Sequence, residues 1–259
     1  MDFDAVSVEI GEDAVGVVTL NRPDKLNTFN TPLATQFDAA LRRLDEDGRV
    51  HVIILRGAGR VFCAGIDLNE FPGKSEQEYR AWTDLMERPL ATMMDISKPI
   101  IAQVHGVAVA NGAGTVAAAD LAIAAESARF GLTAINVGLN CVGPVIPVSR
   151  SVGRKKALEL LYFGELISSA TAAEIGLINR VVPDDALEEE TRSWARKLAE
   201  KSPLALRSAK TSFYASADLA FGRAMSYMNG AFAALCSTDD AAEGIAAFKE
   251  KRPPVWQGS

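Results

Sequence analysis

Two glycine-bearing segments carry the chain's best case for chemistry: Gly57-Ala58-Gly59-Arg60-Val61-Phe62-Cys63-Ala64-Gly65-Ile66-Asp67-Leu68 and Gly106-Val107-Ala108-Val109-Ala110-Asn111-Gly112-Ala113-Gly114. Each reads as a strand running into a glycine turn and then a helix. Two such turns can present main-chain N–H groups at neighbouring points, and a helix starting at Asn111 adds a positive dipole end. Together these suit a developing oxyanion. Taken singly, either segment is what close backbone packing alone requires.

Other motifs carry less. Gly112-Ala113-Gly114-Thr115-Val116-Ala117 matches the dinucleotide fingerprint, but a crossover helix between Asn111 and Asp120 has barely two turns, whereas a βαβ unit needs about 30 residues. P-loop, zincin and nucleophile-elbow patterns are absent from the sequence, which removes the motif case for a nucleotidase, a zinc protease or a serine hydrolase. His51 and His105 read as residues near strand ends with satisfied hydrogen bonds, His105 beside Gly106 being the better candidate base. Cys63, Cys141 and Cys236 are odd in number, widely spaced and without histidine partners, so neither a disulfide framework nor a metal cage is expected.

The elements that must position the two turns follow from periodicity. Val6 to Ile10 and Val15 to Leu20 flank Gly11-Glu12-Asp13 and read as a hairpin ending at Asn21-Arg22-Pro23. Thr31 is the expected cap of a helix with Pro32 in its first turn; Leu33, Phe37, Ala40, Leu41 and Leu44 form the apolar stripe, and Gly48 closes it. Val50 to Arg56, Pro99 to Val104 and Asp120 to Ala125 read as buried strands, and Ser75 to Met94 as a second helix. Beyond Gly143 the expected segments are helical: Arg154 to Tyr162, Ala170 to Gly176, Asp184 to Lys201, Pro203 to Tyr214 and Ala217 to Leu235. The later helices carry apolar residues on more than one face and are expected to make subunit contacts. The fold class is α/β.

Composition sets the outer bounds. The 259 residues are 48% hydrophobic and 23% charged, as in an ordinary globular chain, which excludes a disordered tail or a coiled coil. A net charge of -6 argues against a broad hold on nucleic acid or anionic lipid. The most apolar stretch, Val104 to Ala125, is broken by Asn111, Thr115 and Asp120, so no membrane span is expected. Met1-Asp2-Phe3-Asp4 is acidic where a secretory signal is basic, and the expected location is cytoplasmic.

With Asn21-Arg22-Pro23-Asp24-Lys25-Leu26-Asn27 upstream and Phe248-Lys249-Glu250-Lys251-Arg252 near the end, the two turns resemble the crotonase superfamily, the enoyl-CoA hydratase/isomerase family, over nearly the whole chain. Phe130-Gly131 and Asn136-Val137-Gly138-Leu139-Asn140-Cys141 look closest to the enoyl-CoA hydratase domain-containing protein 3 branch. The resemblance implies a crotonase-like spiral of β-β-α turns (residues 1–200) and a helical C-terminal region (201–259) that builds trimers or paired trimers. It implies an acyl-CoA thioester whose oxygen accepts from the backbone N–H groups of Ile66 and Asn111. By the same resemblance, carbonyls of Ala64, Ile66 and Leu68 hold the adenine amine, Lys25 and Leu26 lie near the CoA phosphates, and Phe248 with Lys251 closes the nucleotide end from this or a neighbouring subunit. CoA enters as part of the substrate, with no separate cofactor and no metal. The remaining candidate pocket residues are Asp67, Gly112, Thr115, Ala134, Asn136, Asn140 and Cys141.

The departures from the pattern bear on the reaction. Hydratases of the family sandwich a water between two glutamates, and the matching positions here are Gly114 and Ala134; an acid used by some isomerases falls at Val142, and a frequent CoA-binding lysine at Asn69. Each proton-transfer group is worth about 10²–10⁴ in rate, so ordinary hydratase activity is expected to be weak or absent. Three readings follow: an enzyme of hydratase/isomerase type working through the oxyanion hole, as a lyase or isomerase of fatty-acyl metabolism; a non-catalytic acyl-CoA-binding protein; or a scaffold whose trimer surface is the function. Asp67 reads better as a cap of its own turn than as a catalyst, and Cys141 as structural.

Overall fold

Val6–Ile10 (β1) and Val15–Leu20 (β2) pair antiparallel, Val6 opposite Leu20, as the expected hairpin. The computed structural model describes residues 3–259; the acidic start read at Met1-Asp2-Phe3-Asp4 lies partly outside the described residues. Every residue of β2 is buried, which fits a strand covered on both faces rather than an edge. Thr31–Glu46 (α1) follows, and its cap corrects the expectation. The Asn30 side chain accepts from the Leu33 N–H (3.0 Å), so Thr31 and Pro32 both lie inside the first turn. Asparagine serves this role at least as well as threonine, and one position earlier.

Val52–Gly57 (β3), Glu76–Asp95 (α2), Ile100–Val104 (β4), Val107–Val109 (β5), Asn111–Ala118 (α3) and Leu121–Ala125 (β6) form the centre of the chain. Ser75 and Glu78 close a capping box at the start of α2. The remainder is Arg129–Gly131 (β7), Val145–Phe163 (α4), Ile167–Ser168 (β8), Ser169–Glu174 (α5), Arg180–Val182 (β9), Leu187–Ala199 (α6), Pro203–Ser216 (α7), Phe221–Cys236 (α8) and Asp239–Glu250 (α9).

Among the described residues the main sheet has the order β1-β2-β3-β4-β6-β9 and is parallel from β2 onward. Alternate residues serve two cores. Ile53 and Leu55 face α1 and α2, whereas Val52 and Ile54 join the layer under α6 with Leu187 and Ala195. A smaller sheet, β5-β7-β8, was not anticipated; its strands are two or three residues long, too short to show a period. Helix α9 was likewise not anticipated. Helix α4 begins at Val145 rather than Arg154 and turns through a non-helical Gly153 (φ +76°). The C-terminal helices differ in how they are held: α7 is tied inward by Lys210 and Tyr214, whereas α8 has no buried residue and exposes Phe221 and Phe232.

Candidate active site

The two glycine turns touch. Cys63 N–H donates to the Val107 carbonyl and Val109 N–H to the Cys63 carbonyl, both at 3.0 Å, so the first turn is stitched to β5. A Cβ on Gly112 stands 2.3 Å from the Cys63 carbonyl oxygen, and one on Gly65 stands 3.0 Å from Ala110 Cβ. Only hydrogen fits at residue 112. The upstream loop closes on the same point: Asn27, fully buried, donates through Nδ2 to the carbonyls of Ala58, Val61 and Phe62, and Leu26 accepts from Ala64 N–H (3.0 Å).

Each candidate oxyanion donor follows a residue with positive φ. Gly65 (φ +99°) precedes Ile66, where glycine is the natural choice, and Ala110 (φ +50°, ψ -115°) precedes Asn111, where it is not. A side-chain-bearing residue held there stores about 1–3 kcal/mol of strain, which persists where the surroundings over-determine it. Here Ala110 N–H is fixed on the Gly131 carbonyl (2.9 Å) while its own carbonyl accepts from Gly114. Among the described residues neither Ile66 N–H nor Asn111 N–H has a hydrogen-bond partner, and both residues line one cavity. Backbone donors inside a protein are seldom left unpaired.

The cavity measures about 260 Å³ and is walled by Ala64, Leu68, Phe71, Trp82, Ala134 and Cys141, among others. That is just below the range of about 300–1,000 Å³ for a drug-sized ligand, so it has room for a small group rather than a whole nucleotide. Of the expected pocket residues Ala134, Asn140 and Cys141 line it, together with Ala64, Ile66, Leu68 and Asn111.

Four expected pocket residues are elsewhere. Asp67 pairs with Arg22 (2.9 Å) and accepts from Asn69 N–H and Nδ2; burial pushes its carboxyl up, but Arg22 and Asn69 outweigh this and hold it below the usual range. It caps the turn at residues 68–70. Gly112 packs on Cys63, the Thr115 hydroxyl donates to the Asn111 carbonyl (2.7 Å), and the Asn136 amide donates to the Gly164 carbonyl (2.9 Å). Thr115 and Asn136 are spent on holding backbone, and Asp67 on holding Arg22 and its own turn. Lys25 is exposed beside this loop; Phe248 and Lys251 stand at the end of α9, where Phe248 lines a separate cleft with Leu235 and Trp256.

The histidines take no part in the cavity: His105 Nε2 donates to the Gly59 carbonyl (2.9 Å), and His51 Nδ1 approaches the Ala199 carbonyl at 3.3 Å. Burial pushes the Cys63 thiol up to about 12 and raises Cys141 as well, so neither is a thiolate nucleophile near neutral pH.

One wall residue escaped the sequence reading. Glu87 on α2 lines the cavity, and its Oε2 is buried without a hydrogen-bond partner among the described residues, as is Nδ2 of Asn111. Burial pushes the Glu87 carboxyl from 4.5 up to about 7, against a smaller opposing pull from the Asn111 amide. Its signal in the sequence is faint: it stands one residue from the buried stripe of Trp82, Met86, Leu90 and Met93, where acidic residues ordinarily reach solvent.

Comparison with known proteins matches this architecture. The enoyl-CoA hydratase/isomerase family model covers residues 11–259. The human mitochondrial enoyl-CoA hydratase domain-containing protein 3 is 34% identical over 247 residues, 94% of this chain and 81% of that protein. Its crystal structure superposes with a TM-score of 0.90 at 33% identity, covering 97% of this chain and 100% of that one. A crystal structure of enoyl-CoA hydratase from Mycobacterium smegmatis gives 0.95 at 35% identity, covering 97% and 98%. The likeness to the human protein agrees with the branch suggested by Phe130-Gly131 and Asn136 to Cys141. The chain belongs to the enoyl-CoA hydratase/isomerase family, the crotonase superfamily.

Proposed function

We propose that the chain binds an acyl-CoA thioester with its carbonyl oxygen between the N–H groups of Ile66 and Asn111, and stabilises the enolate that forms when an α-proton leaves. The observation that carries this reading is the pair of unpartnered main-chain donors on one cavity, each set by a positive-φ residue. Fixed amides need no reorganisation as charge builds on the oxygen, and one such donor is worth about 3 kcal/mol of barrier. The CoA contacts of Lys25, Leu26, Ala64, Ile66 and Leu68, closure by Phe248 and Lys251 from this or a neighbouring subunit, the 201–259 trimerisation region and a cytoplasmic location belong to the same proposal. No helix among the described residues is long and apolar enough to cross a membrane.

Ordinary hydration is expected to be weak. Gly114 and Ala134 offer no carboxylate, and a Cβ at 114 stands 2.8 Å from the Cα and Cβ of Pro144, so the backbone itself closes that position to a larger side chain. The test is a panel of enoyl-, β-hydroxy- and carboxyacyl-CoA thioesters, with binding measured by calorimetry and products by mass. The expected result is binding across the panel, with little hydration of crotonyl-CoA. Failure to bind any thioester contradicts the reading.

A further inference from the structure

We propose that Glu87 is the proton-transfer group of this site, a carboxylate supplied by α2 to the α-carbon of the thioester. The inference rests on the oxyanion-hole reading and adds the base that reading lacks. Three observations meet at this residue. Glu87 shares one cavity with Ile66 and Asn111. Its Oε2 has no partner among the described residues, although a buried carboxylate ordinarily collects several. The facing wall is cut away to admit it, since a Cβ on Gly143 falls 2.0–2.3 Å from the Glu87 carboxyl atoms.

The electrostatics suit the task. From α3 the carboxyl faces the Asn111 amide, and from the segment before α4 it faces Cys141; among the described residues no other titratable residue, lysine and arginine included, lines the cavity. The group is therefore free of a counter-ion that holds it ionised, and burial brings its pKa near neutrality, where a general base is most effective. Taking the proton also neutralises Glu87 as charge appears on the thioester oxygen, so two like charges never coexist.

The step balances without another reagent. The C2–H bond breaks and its proton passes to the Glu87 carboxylate; the bonding pair enters the C1–C2 bond as the C1=O π pair withdraws to the oxygen held by Ile66 and Asn111. Returning a proton to C2 regenerates the substrate. In a but-3-enoyl thioester, delivery to C4 instead moves the double bond into conjugation. One carboxyl serves both halves, whereas adding water calls for a second group.

The probe is but-3-enoyl-CoA in D₂O, with deuterium at C2 and conversion to the conjugated isomer followed by mass spectrometry, and binding followed separately by calorimetry. The wild type is expected to exchange and isomerise, with a rate that rises with pH to a plateau above about 7. Glu87→Gln keeps the shape and the binding but loses at least about 100-fold in exchange, together with that pH profile. Gly143→Ala, which displaces the carboxyl without removing it, gives a partial loss. Exchange by Glu87→Gln at the wild-type rate, or wild-type binding with no exchange, overturns the assignment and leaves the oxyanion hole standing. Absence of wild-type binding overturns both.

Discussion

Two partly buried carboxylates, Asp120 and Glu87, are held under opposite terms. Asp120, between α3 and β6, accepts from Ile100 N–H (2.7 Å), from Lys210 Nζ (2.8 Å) and from the Tyr214 hydroxyl (2.9 Å). Burial lowers Lys210 more than Asp120 raises it, and burial followed by the Asp120 charge raises Tyr214. Glu87, one helix away, has an Oε2 with no hydrogen-bond partner among the described residues and only the Asn111 amide to favour its charged form. A satisfied carboxylate ties α7 to the sheet; an unsatisfied one costs stability and is retained where a ligand completes it. The contrast separates a residue that holds the fold from one that serves the cavity.

The largest expected effect lies on the structural side. Asp120→Ala strands Lys210, whose side chain is 4% exposed, and is expected to cost about 3–5 kcal/mol, read from denaturant unfolding. A loss below about 1 kcal/mol would erase the contrast, since both carboxylates would then be dispensable to the fold.

The opposite sign is expected at the cavity. Because the folded carboxyl of Glu87 is raised from 4.5 to about 7, the folded state holds its proton more tightly than the unfolded chain; this stabilisation is full below about 4.5 and is lost as pH rises through about 7. At about 1.4 kcal/mol per pH unit the decline is at most roughly 3 kcal/mol. Glu87→Gln removes it, so the variant is expected to match the wild type within about 1 kcal/mol at pH 5 and to exceed it by up to about 3 kcal/mol at pH 8. A stability difference that does not change with pH would show that Glu87 is not a desolvated carboxyl.

The parts of this arrangement that were legible in the sequence are those that constrain residue type. Glycine at 65 and 112 marks a positive φ and a contact without room for a methyl, and the parallel strands are buried on both faces and so read as apolar runs. Other features leave no such mark. Ala110 adopts a conformation its side chain disfavours, held by the Gly131 carbonyl from a distant strand. Asp67, Thr115 and Asn136 look like pocket chemistry by type and motif, yet Asp67 is spent on Arg22 and its own turn and the other two on backbone carbonyls, contacts visible only in three dimensions. Glu87 is the converse, an ordinary surface-type residue that becomes a cavity group because Gly143, distant in sequence, has no side chain.

The central claim is that two main-chain amides grip one carbonyl, and isotope-edited infrared spectroscopy of a thioester labelled with ¹³C at the carbonyl reads that grip directly. Bound to the protein, the carbonyl stretch is expected at lower frequency than for the same thioester in water, because fixed donors from Ile66 and Asn111 polarise it more strongly than solvent does. A band that stays at its aqueous position, or rises as for a carbonyl in an apolar pocket, would contradict the account.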